Sequence, residues 1–464
     1  MNTERLKRVF IDLICASIAW VLFFYFRKTK IENHIFEISE TLIYGMIGVG
    51  FFWLTIYMLS GTYVDVKRVS RINELYRTFI QSIIGCLLIF FFLLIDDIEH
   101  YQNYTFYYQA ILALTSLHFC ITFFARYMIT SSMVRKIQSK KISFNTVLIG
   151  DSQSIIDTYQ LLNGLSRSNG NEIKGYINID DNSIINDTNF KNLGHIKQLE
   201  NILRKNNIEE AILTYNKRNS KIITEIIYTL IYHNIITKVT PNMTDVLAGK
   251  VKMQSLFNVS FAEIKQIRMT IFQAFIKRII DILFSICALL ILFPFLILIS
   301  IMVKYSSNGP IFYYQERLGL NRKIFNIIKF RSMYLNSEKE KPLLSSKDDS
   351  RITPWGKIMR KYRLDELPQF YNVLIGDMSI VGPRPERDFF AKEILSKAPQ
   401  YKLVYKLKPG ITSWGMVKFG YAENIEEMIN RLKYDIIYLE NLSLFNDFKV
   451  FLLTILIVLQ GRGK

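Results

Sequence analysis

The stretch ILFSICALLILFPFLILISIMV, Ile282 to Val303, runs for 22 residues without a charged side chain. An α-helix of that length spans about 33 Å, which is enough to cross a hydrocarbon core of roughly 30 Å. Pro294 lies near its middle, where a proline removes a backbone hydrogen bond and kinks or breaks a helix. Lys277, Arg278 and Lys304 flank the stretch at its two ends. Basic residues on both flanks favour a segment that enters one leaflet and returns, and a Pro-kinked spanning helix is the alternative.

Four further apolar segments lie in the first 140 residues, at Val9–Phe26, Leu42–Leu59, Phe79–Ile95 and Tyr104–Ala125. Each is long enough to cross a bilayer as a helix, so we predict four transmembrane helices. Lys and Arg cluster in the loops after the second and the fourth segment, whereas the loop after the third carries only the acidic residues Asp96, Asp97 and Glu99. Because Lys and Arg are retained in the cytoplasm, both ends of this unit are predicted to lie there.

The composition agrees with a membrane protein that carries additional domains. The chain has 464 residues, half of them apolar, and a formal charge of +18. Such a charge suits nucleic acid or anionic lipid equally, and the apolar segments favour lipid. The four cysteines all lie within apolar runs, at no metal or redox spacing, so no disulfide framework is predicted.

The region from about residue 143 to 262 alternates strand-like runs such as TVLIG and EEAILTYN with helical patterns such as SQSIIDTYQLL. This alternation is typical of a small parallel, Rossmann-like α/β domain. The loop after the first run, Gly150 to Ser154, has only one of the three glycines of a dinucleotide-binding fingerprint. We therefore predict a degenerate domain with a structural or regulatory role.

Cationic side chains follow the Pro-interrupted segment. The stretch IFYYQERLGLNRKIFNIIKFRSM, Ile311 to Met333, predicts two strands around a turn at Gly319 to Lys323. In an extended second strand Lys329 and Arg331 share a face and are able to bind a phosphate together. A solvated strand face is the alternative.

An acidic pair follows. Thr353 and Pro354 predict the start of a helix that continues to about Arg363, and Asp365 is predicted to cap the next helix, with Glu366 in its first turn. A helix end and nearby arginines favour the ionised carboxylate. The pattern therefore predicts either a simple cap or a carboxylate able to attack phosphorus at a cationic site.

The motifs QERLG, KFRSM, LDELPQFYNVLIGDMSIVGPRP and KPGIT occur in this order after the Pro-interrupted segment. This ordered set closely resembles the bacterial sugar transferase domain of the monotopic polyprenyl-phosphate phosphoglycosyl transferases, over about residues 274–464. The whole chain resembles the large members of that family. The predicted fold is a multi-domain membrane protein with four transmembrane helices (1–140), a Rossmann-like α/β domain (141–265) and an α+β catalytic domain (266–464) with a re-entrant helix at about 277–304, broken at Pro294.

The resemblance implies a reaction and a site. Asp365 would attack the sugar-bearing phosphate of a UDP-sugar and release UMP, and undecaprenyl phosphate would then accept the phosphosugar. Glu366 would hold Mg²⁺ or act as a base toward the lipid phosphate. Arg360 and Arg384 match family arginines expected to bind phosphate, together with Lys329 and Arg331.

The resemblance also implies a place in the cell and partners. The reaction would initiate exopolysaccharide, capsule or O-antigen synthesis at the cytoplasmic face of the bacterial inner membrane. The partners would be UDP-sugar, undecaprenyl phosphate and inner-membrane lipids, with no nucleic acid, and a homodimer is compatible with the family. Where many relatives continue KPGIT with Gly-Leu-Trp-Gln-Val, this chain has Ser413-Trp414-Gly415-Met416-Val417, so the sugar is left open.

Two other functions remain open. A membrane-bound sugar-nucleotide dehydratase would need intact glycines and a catalytic Tyr-x-x-x-Lys pair in the α/β domain, but the only such pattern is Tyr63 to Lys67, in a predicted membrane loop. The second alternative is a non-catalytic scaffold for polysaccharide assembly, in which Asp365 serves only as a cap.

Overall fold

The structure, a computed structural model, describes residues 3–94, 105–179, 190–214, 220–240, 261–264, 266–335, 342–344 and 349–460. The chain forms two compact units. The first comprises Met1–Ser143 with Gly164–Asn171 and Thr270–Phe272; the second comprises Phe144–Asn163, Glu172–Met269 and Gln273–Lys464. The predicted acidic loop with Asp96, Asp97 and Glu99 lies outside the described residues.

The first unit is helical, with α1 (Thr3–Phe26), α2 (Glu40–Leu59), α3 (Arg71–Ile89) and α4 (Thr105–Gln138). These helices coincide with the four predicted apolar segments. Together with α8 (Ile271–Ser306), which lies in the second unit from Gln273 onward, they give five helices in the described part of the chain that are long and apolar enough to cross a membrane. These helices mark the chain as a membrane protein. The arrangement of α1–α4 as a transmembrane unit remains a prediction.

Buried ion pairs join the helices of this first unit. Arg126 Nε donates to Asp12 Oδ1 at 2.8 Å, and Arg8 pairs with Glu74. Tyr63, the tyrosine of the Tyr-x-x-x-Lys pattern, donates its hydroxyl to Asp12 Oδ2 at 2.9 Å. Partnered charges of this kind satisfy one another inside an apolar bundle. Tyr63 thus has a structural hydrogen bond within the helical unit.

A six-stranded sheet opens the second unit. Its strands are β1 (Phe144–Gly150), β2 (Asn171–Asn178), β3 (Asn192–His195), β4 (Glu210–Thr214), β5 (Ile236–Val239) and β6 (Ala262–Glu263). Their order is β3-β2-β1-β4-β5-β6, the doubly wound arrangement, with α5 (Ser152–Asn163), α6 (Leu199–Lys205) and α7 (Ser220–Tyr232) in the connections. β4 and β5 pair in parallel, as the strand and helix alternation predicts, whereas β6, a two-residue strand that the pattern did not indicate, is antiparallel to β5, so the sheet is mixed at this edge.

The loop after β1 does not resemble an open phosphate site. A Cβ on Gly150 would lie 1.6 Å from the Thr214 carbonyl oxygen, so this glycine serves the close approach of β1 and β4. Asp151 Oδ2 accepts hydrogen bonds from the Ser154 amide at 3.2 Å and from the Ser154 hydroxyl at 2.8 Å. A carboxylate therefore sits at the start of α5, where a dinucleotide-binding fold places a phosphate.

The rest of the second unit follows α8. Strands β7 (Phe312–Leu318) and β8 (Ile324–Phe330) form the predicted antiparallel hairpin. Its turn contains no central glycine; instead Asn321 and Arg322 adopt positive φ values of 55° and 62°. Helix α9 (Pro354–Lys361) begins as predicted, because Thr353 Oγ1 accepts a hydrogen bond from the Gly356 amide at 3.0 Å.

Seven further α-helices and strands follow α9 in the described residues. They are α10 (Gln369–Ile375), β9 (Ser379–Val381), α11 (Asp388–Lys397), β10 (Gly410–Thr412), α12 (Trp414–Lys418), α13 (Ile425–Glu440) and α14 (Leu444–Leu459). β9 and β10 pair in parallel. The last helix, α14, exposes the apolar side chains of Phe445, Phe448 and Leu459.

Candidate active site

The acidic pair does not lie where a helix cap would place it. Asp365 and Glu366 belong to a 3₁₀ turn, Leu364–Glu366, and α10 begins only after Pro368. Arg363, immediately before the turn, has a left-handed backbone with φ 55° and ψ 27°. The prediction that Asp365 caps a helix is wrong, because this left-handed residue redirects the chain into a tight turn before a longer helix starts.

The two carboxylates are buried next to each other but differ electrostatically. Asp365 is 7% exposed and Glu366 is 5% exposed. Burial raises the pKa of Asp365, the charge of Glu366 adds to this, and Lys329 and Arg360 only partly oppose it. Burial also disfavours the charge of Glu366, but Lys329, Arg384 and Arg363 together hold the pKa of that carboxyl well below its usual range. One carboxyl is a fixed anion, and the other titrates above the ordinary range of aspartate.

Lys329 and Arg384 form the cationic side of this arrangement. Lys329 Nζ donates to Glu366 Oε1 at 2.9 Å, and Arg384 Nη1 lies 3.8 Å from the same oxygen. Burial lowers the pKa of Lys329, while Glu366 acts to raise it. Strand β8 carries Lys329, and Arg384 lies on the Gly-Pro-Arg-Pro turn. That turn requires Gly382, because a Cβ there would lie 2.3 Å from the Lys408 carbonyl oxygen.

Arg360 and Arg331 line the same cleft but have protein partners. Arg360 Nε donates to the Ser332 hydroxyl at 3.0 Å. Arg331 donates from Nη1 to the Asn308 carbonyl and from Nη2 to the Ser307 carbonyl, both at 2.6 Å. Arg331 thus ties the chain after β8 to the end of α8. Its predicted part in phosphate binding stays a prediction, as does that of Arg360.

These side chains surround a cleft of about 410 Å³, a volume typical of sites for small organic ligands. Its lining includes the acidic pair and the four predicted cations, together with residues that the sequence did not single out: Arg317, Glu386, Phe390, Tyr421, Met428 and Arg431. Arg431 Nη2 donates to Glu386 Oε1 at 2.6 Å, and Arg317 Nη1 donates to Glu386 Oε2 at 3.3 Å. Burial lowers the pKa of Arg317 to about 10. Arg317 stands in QERLG and Glu386 directly follows GPRP, so the motifs themselves were the signal for both residues.

The donor set at the acidic pair fits a magnesium ion. Within the described residues no group of three or more His, Cys, Asp or Glu side chains is placed to hold a metal. Magnesium, however, is commonly held by one or two carboxylates together with phosphate oxygens of the substrate. Glu366 Oε2 is buried and has no hydrogen-bond partner among the described residues. This oxygen and the Asp365 carboxylate are suitable protein ligands.

The C-terminal part of the chain is similar to known proteins. The model of the bacterial sugar transferase family matches residues 272–461. A UDP-N-acetylgalactosamine-undecaprenyl-phosphate N-acetylgalactosaminephosphotransferase of Aeromonas hydrophila is 36% identical over 221 residues, covering 48% of this chain and 52% of the relative. A UDP-glucose:undecaprenyl-phosphate glucose-1-phosphate transferase of Caulobacter vibrioides is 35% identical over 181 residues, covering 39% of this chain and 68% of the relative.

The chain belongs to the bacterial sugar transferase family. A Klebsiella pneumoniae relative, a UDP-glucose:undecaprenyl-phosphate glucose-1-phosphate transferase, is 39% identical over 181 residues, which are 39% of each chain. The match to the Aeromonas and Klebsiella relatives thus spans about half of their length or less. The names of these relatives differ in the sugar, glucose in two and N-acetylgalactosamine in the third.

Proposed function

We propose that this chain transfers a sugar 1-phosphate from a UDP-sugar to undecaprenyl phosphate and releases UMP. This would be the initiating step of exopolysaccharide, capsule or O-antigen synthesis. The observation that carries the proposal is the buried Asp365–Glu366 pair at the wall of a cationic cleft, in a chain whose relatives bear the names of such transferases. The scaffold alternative leaves the burial of two adjacent carboxylates among cations without a purpose.

The reaction has two steps, and each step forms one bond to the sugar-bearing phosphorus and breaks another. An Asp365 carboxylate oxygen attacks the sugar-bearing phosphorus, the bond from that phosphorus to the bridging oxygen breaks, and UMP leaves with the bridging oxygen. An oxygen of undecaprenyl phosphate then attacks the same phosphorus, and the bond to Asp365 breaks. Lys329, Arg360 and Arg384 would offset the negative charge that gathers on the phosphates. Arg331 would contribute less, because its donors are engaged at the end of α8.

Glu366 serves this scheme better as a fixed anion than as a base. Its pKa is held well below the usual range, so its affinity for a proton is weak. Its unpartnered Oε2 and the Asp365 carboxylate would hold Mg²⁺. When bound, the ion would screen the donor phosphates from the carboxylate. Glu366 itself keeps Lys329 and Arg384 oriented toward the cleft.

Contacts at both ends of α8 support the proposal that this helix is re-entrant. Near its start, Asp281 Oδ1 accepts a hydrogen bond from the Ile380 amide at 3.1 Å, and Lys277 Nζ donates to the Val381 carbonyl at 2.9 Å. Near its end, Ile299 and Val303 are buried against Phe330 and Met359. Between these contacts the helix is exposed, with Leu290 at 70% and Ile291 at 77%.

A helix that crossed the bilayer would separate these contacts. From Asp281 to Val303 a straight helix spans about 33 Å, which exceeds the hydrocarbon thickness of roughly 30 Å. Its two ends would then meet water on opposite sides, yet both ends contact the same catalytic fold. The proposal is therefore that the middle of the helix, around Pro294, dips into the cytoplasmic leaflet of the inner membrane, with lipids around it. The site would thus face undecaprenyl phosphate from the cytoplasm, where UDP-sugars are found.

The α/β domain (141–265) has, in this proposal, a structural or regulatory role beside the catalytic domain (266–464). Lys402 Nζ donates to Glu200 Oε1 at 2.6 Å, and Lys406 Nζ donates to the Ile231 carbonyl at 2.6 Å. Ile231 also belongs to the same buried cluster as Phe390 and Met428, which line the cleft. Through Ile231 the α/β domain would support one wall of the site.

The test is UMP release by the full chain in detergent, with Mg²⁺, polyprenyl phosphate and a panel of UDP-glucose, UDP-galactose and UDP-N-acetylgalactosamine. Asp365→Asn is expected to abolish release, whereas Asp377→Asn, a change at an aspartate that does not line the cleft, should leave it unchanged. If no sugar yields UMP, or if Asp365→Asn turns over normally, the proposed function is wrong. The donor that yields UMP would also identify the sugar.

A further inference from the structure

Tyr421 lies in the wall of the cleft beneath two guanidinium groups. Arg363 Cζ lies 5.3 Å and Arg384 Cζ 5.5 Å from the centre of its ring. Both distances are within the range of a cation–π interaction, about 6 Å. The segment from Phe419 to Ala422 that carries Tyr421 begins one residue after Ser413–Val417, where the sequence departs from many relatives.

Arg363 is held in an unusual conformation. Its φ of 55° lies in the left-handed region, which a residue with a side chain adopts only when its surroundings impose it. It is 9% exposed, and its Nε has no hydrogen-bond partner among the described residues. The ring of Tyr421 is thus an important contact of this guanidinium. The same backbone conformation opens the turn that carries Asp365 and Glu366.

The contacts of the Arg384 guanidinium with neighbouring polar atoms are long or weak. Its Nη1 lies 3.8 Å from Glu366 Oε1, beyond hydrogen-bond distance, and 3.3 Å from the Met416 sulfur, a weak acceptor. Its Nε lies 3.9 Å from Glu386 Oε1. A guanidinium held by ring and sulfur contacts keeps strong hydrogen bonds available for an incoming phosphate oxygen.

We propose that Tyr421 and Arg363 are positioning residues that hold Arg384 for the diphosphate of a nucleoside diphosphate ligand. Tyr421 provides an aromatic face that keeps the two like charges in fixed places beside the acidic pair. Arg363 sets the turn and occupies part of that face, so that Arg384 has one preferred position. The inference rests on the proposed function for the identity of the ligand as UDP-sugar, while its test uses binding alone.

The test is calorimetric binding of UDP, with Mg²⁺, to the full chain in detergent. Tyr421→Phe keeps the aromatic face and should bind UDP as the wild type does. Tyr421→Leu removes that face and is expected to bind about tenfold more weakly, which lies between the sizes of an exposed and a desolvated cation–π interaction. The matched control is Tyr362→Leu. Tyr362 also lies beneath a cation, Lys361 at 5.5 Å, but does not line the cleft, so its change should leave UDP binding unaltered.

A second variant separates positioning from folding. Arg363→Gln keeps a side chain in the left-handed position but removes the charge, and it should weaken UDP binding about threefold, with less than additive loss when combined with Tyr421→Leu. Equal UDP affinity of Tyr421→Leu and Tyr421→Phe, or an unchanged affinity of Arg363→Gln, would overturn the proposal. If the predicted pattern of UDP affinities is found but no UDP-sugar yields UMP, the positioning role stands and the proposed function fails. A wild type that does not bind UDP overturns both.

Discussion

Replacing each of the two adjacent carboxylates by its amide is expected to change stability in opposite directions. Asp365→Asn and Glu366→Gln preserve side-chain size and remove one charge each. The pKa of Asp365 is raised above its ordinary value of 3.8, so its contribution to stability is present below that value and is lost as pH rises through the folded-state pKa. At pH 7.5 the ionised Asp365 therefore costs stability. Its removal is expected to stabilise the fold by about 1 kcal/mol, a gain typical of relieving a strained functional site.

The ionised Glu366 carboxylate, in contrast to that of Asp365, stabilises the fold at pH 7.5. Its pKa is lowered from 4.5, so its contribution to stability is present above that value and is lost as pH falls through the folded-state pKa. Glu366→Gln leaves Lys329 and Arg384 without their anion. Removing one partner of a buried ion pair lowers the free energy of unfolding by about 3 kcal/mol at the lower end of the measured range. The lower end applies because glutamine still offers an amide oxygen to Lys329 Nζ, which donates to Glu366 Oε1 at 2.9 Å.

The assay is thermal unfolding of the full chain in one detergent at pH 7.5 and pH 5. With a shift of about 2–4 °C per kcal/mol, Asp365→Asn should raise the midpoint by about 2–4 °C and Glu366→Gln should lower it by about 6–12 °C. The gain of Asp365→Asn should shrink at pH 5, since wild-type Asp365 is then closer to protonation. If Asp365→Asn lowers the midpoint as Glu366→Gln does, the electrostatic description of the site is refuted.

Three other outcomes are expected. The rate of UMP release should rise with pH on the acid side, because Asp365 must ionise to attack; a rate that stays constant as pH falls through the carboxyl range would contradict this. Lys402→Glu should lower the free energy of unfolding by roughly 0.5 kcal/mol, the size of a partly exposed ion pair, and so lower the unfolding midpoint slightly. Adding Glu200→Lys should restore the midpoint, because the pair is then reversed; an additive loss in this double variant would show that the pair contributes nothing. Gly382→Ala should abolish both stability and activity, since its Cβ would collide with backbone, whereas Gly48→Ala, with nothing within 4 Å, should behave as wild type; folded, active Gly382→Ala protein would disprove the tight packing of the turn.

Where the structure depends on local pattern, the sequence was sufficient to predict it. Alternating apolar residues and turn residues predict the hairpin of β7 and β8, and the alternation of strand and helix patterns predicts the main strands of the α/β domain. The cap of α9 follows from the Thr353 hydroxyl, which lies three residues before the Gly356 amide that it binds. The apolar segments likewise follow from length and hydropathy alone. The neighbourhood of Lys329 and Glu366 was expected only through the resemblance to the family.

Where the structure depends on distant partners, prediction from local pattern failed. Nothing in the residues around Arg363 indicates a left-handed conformation, since an arginine adopts it only under tertiary constraint. The prediction that Asp365 caps a helix is wrong for the same reason. The raised pKa of Asp365 reflects burial, which the local pattern does not contain. The Glu386–Arg431 pair joins residues 45 positions apart, and Arg331 finds its carbonyl acceptors at the end of the preceding helix. Such partners are defined by the fold alone.

The most direct test of the central proposal is to trap the covalent intermediate. The full chain is mixed with Mg²⁺ and the active UDP-sugar, polyprenyl phosphate is omitted, and the digested protein is examined by mass spectrometry. The peptide containing Asp365 is predicted to gain the mass of one sugar phosphate, with release of at most one UMP per chain, and the adduct should be discharged by adding polyprenyl phosphate. Asp365→Asn should show no adduct and no UMP. Unmodified Asp365 in a chain that still releases UMP at its normal rate when acceptor is present would contradict the proposed role of this carboxylate.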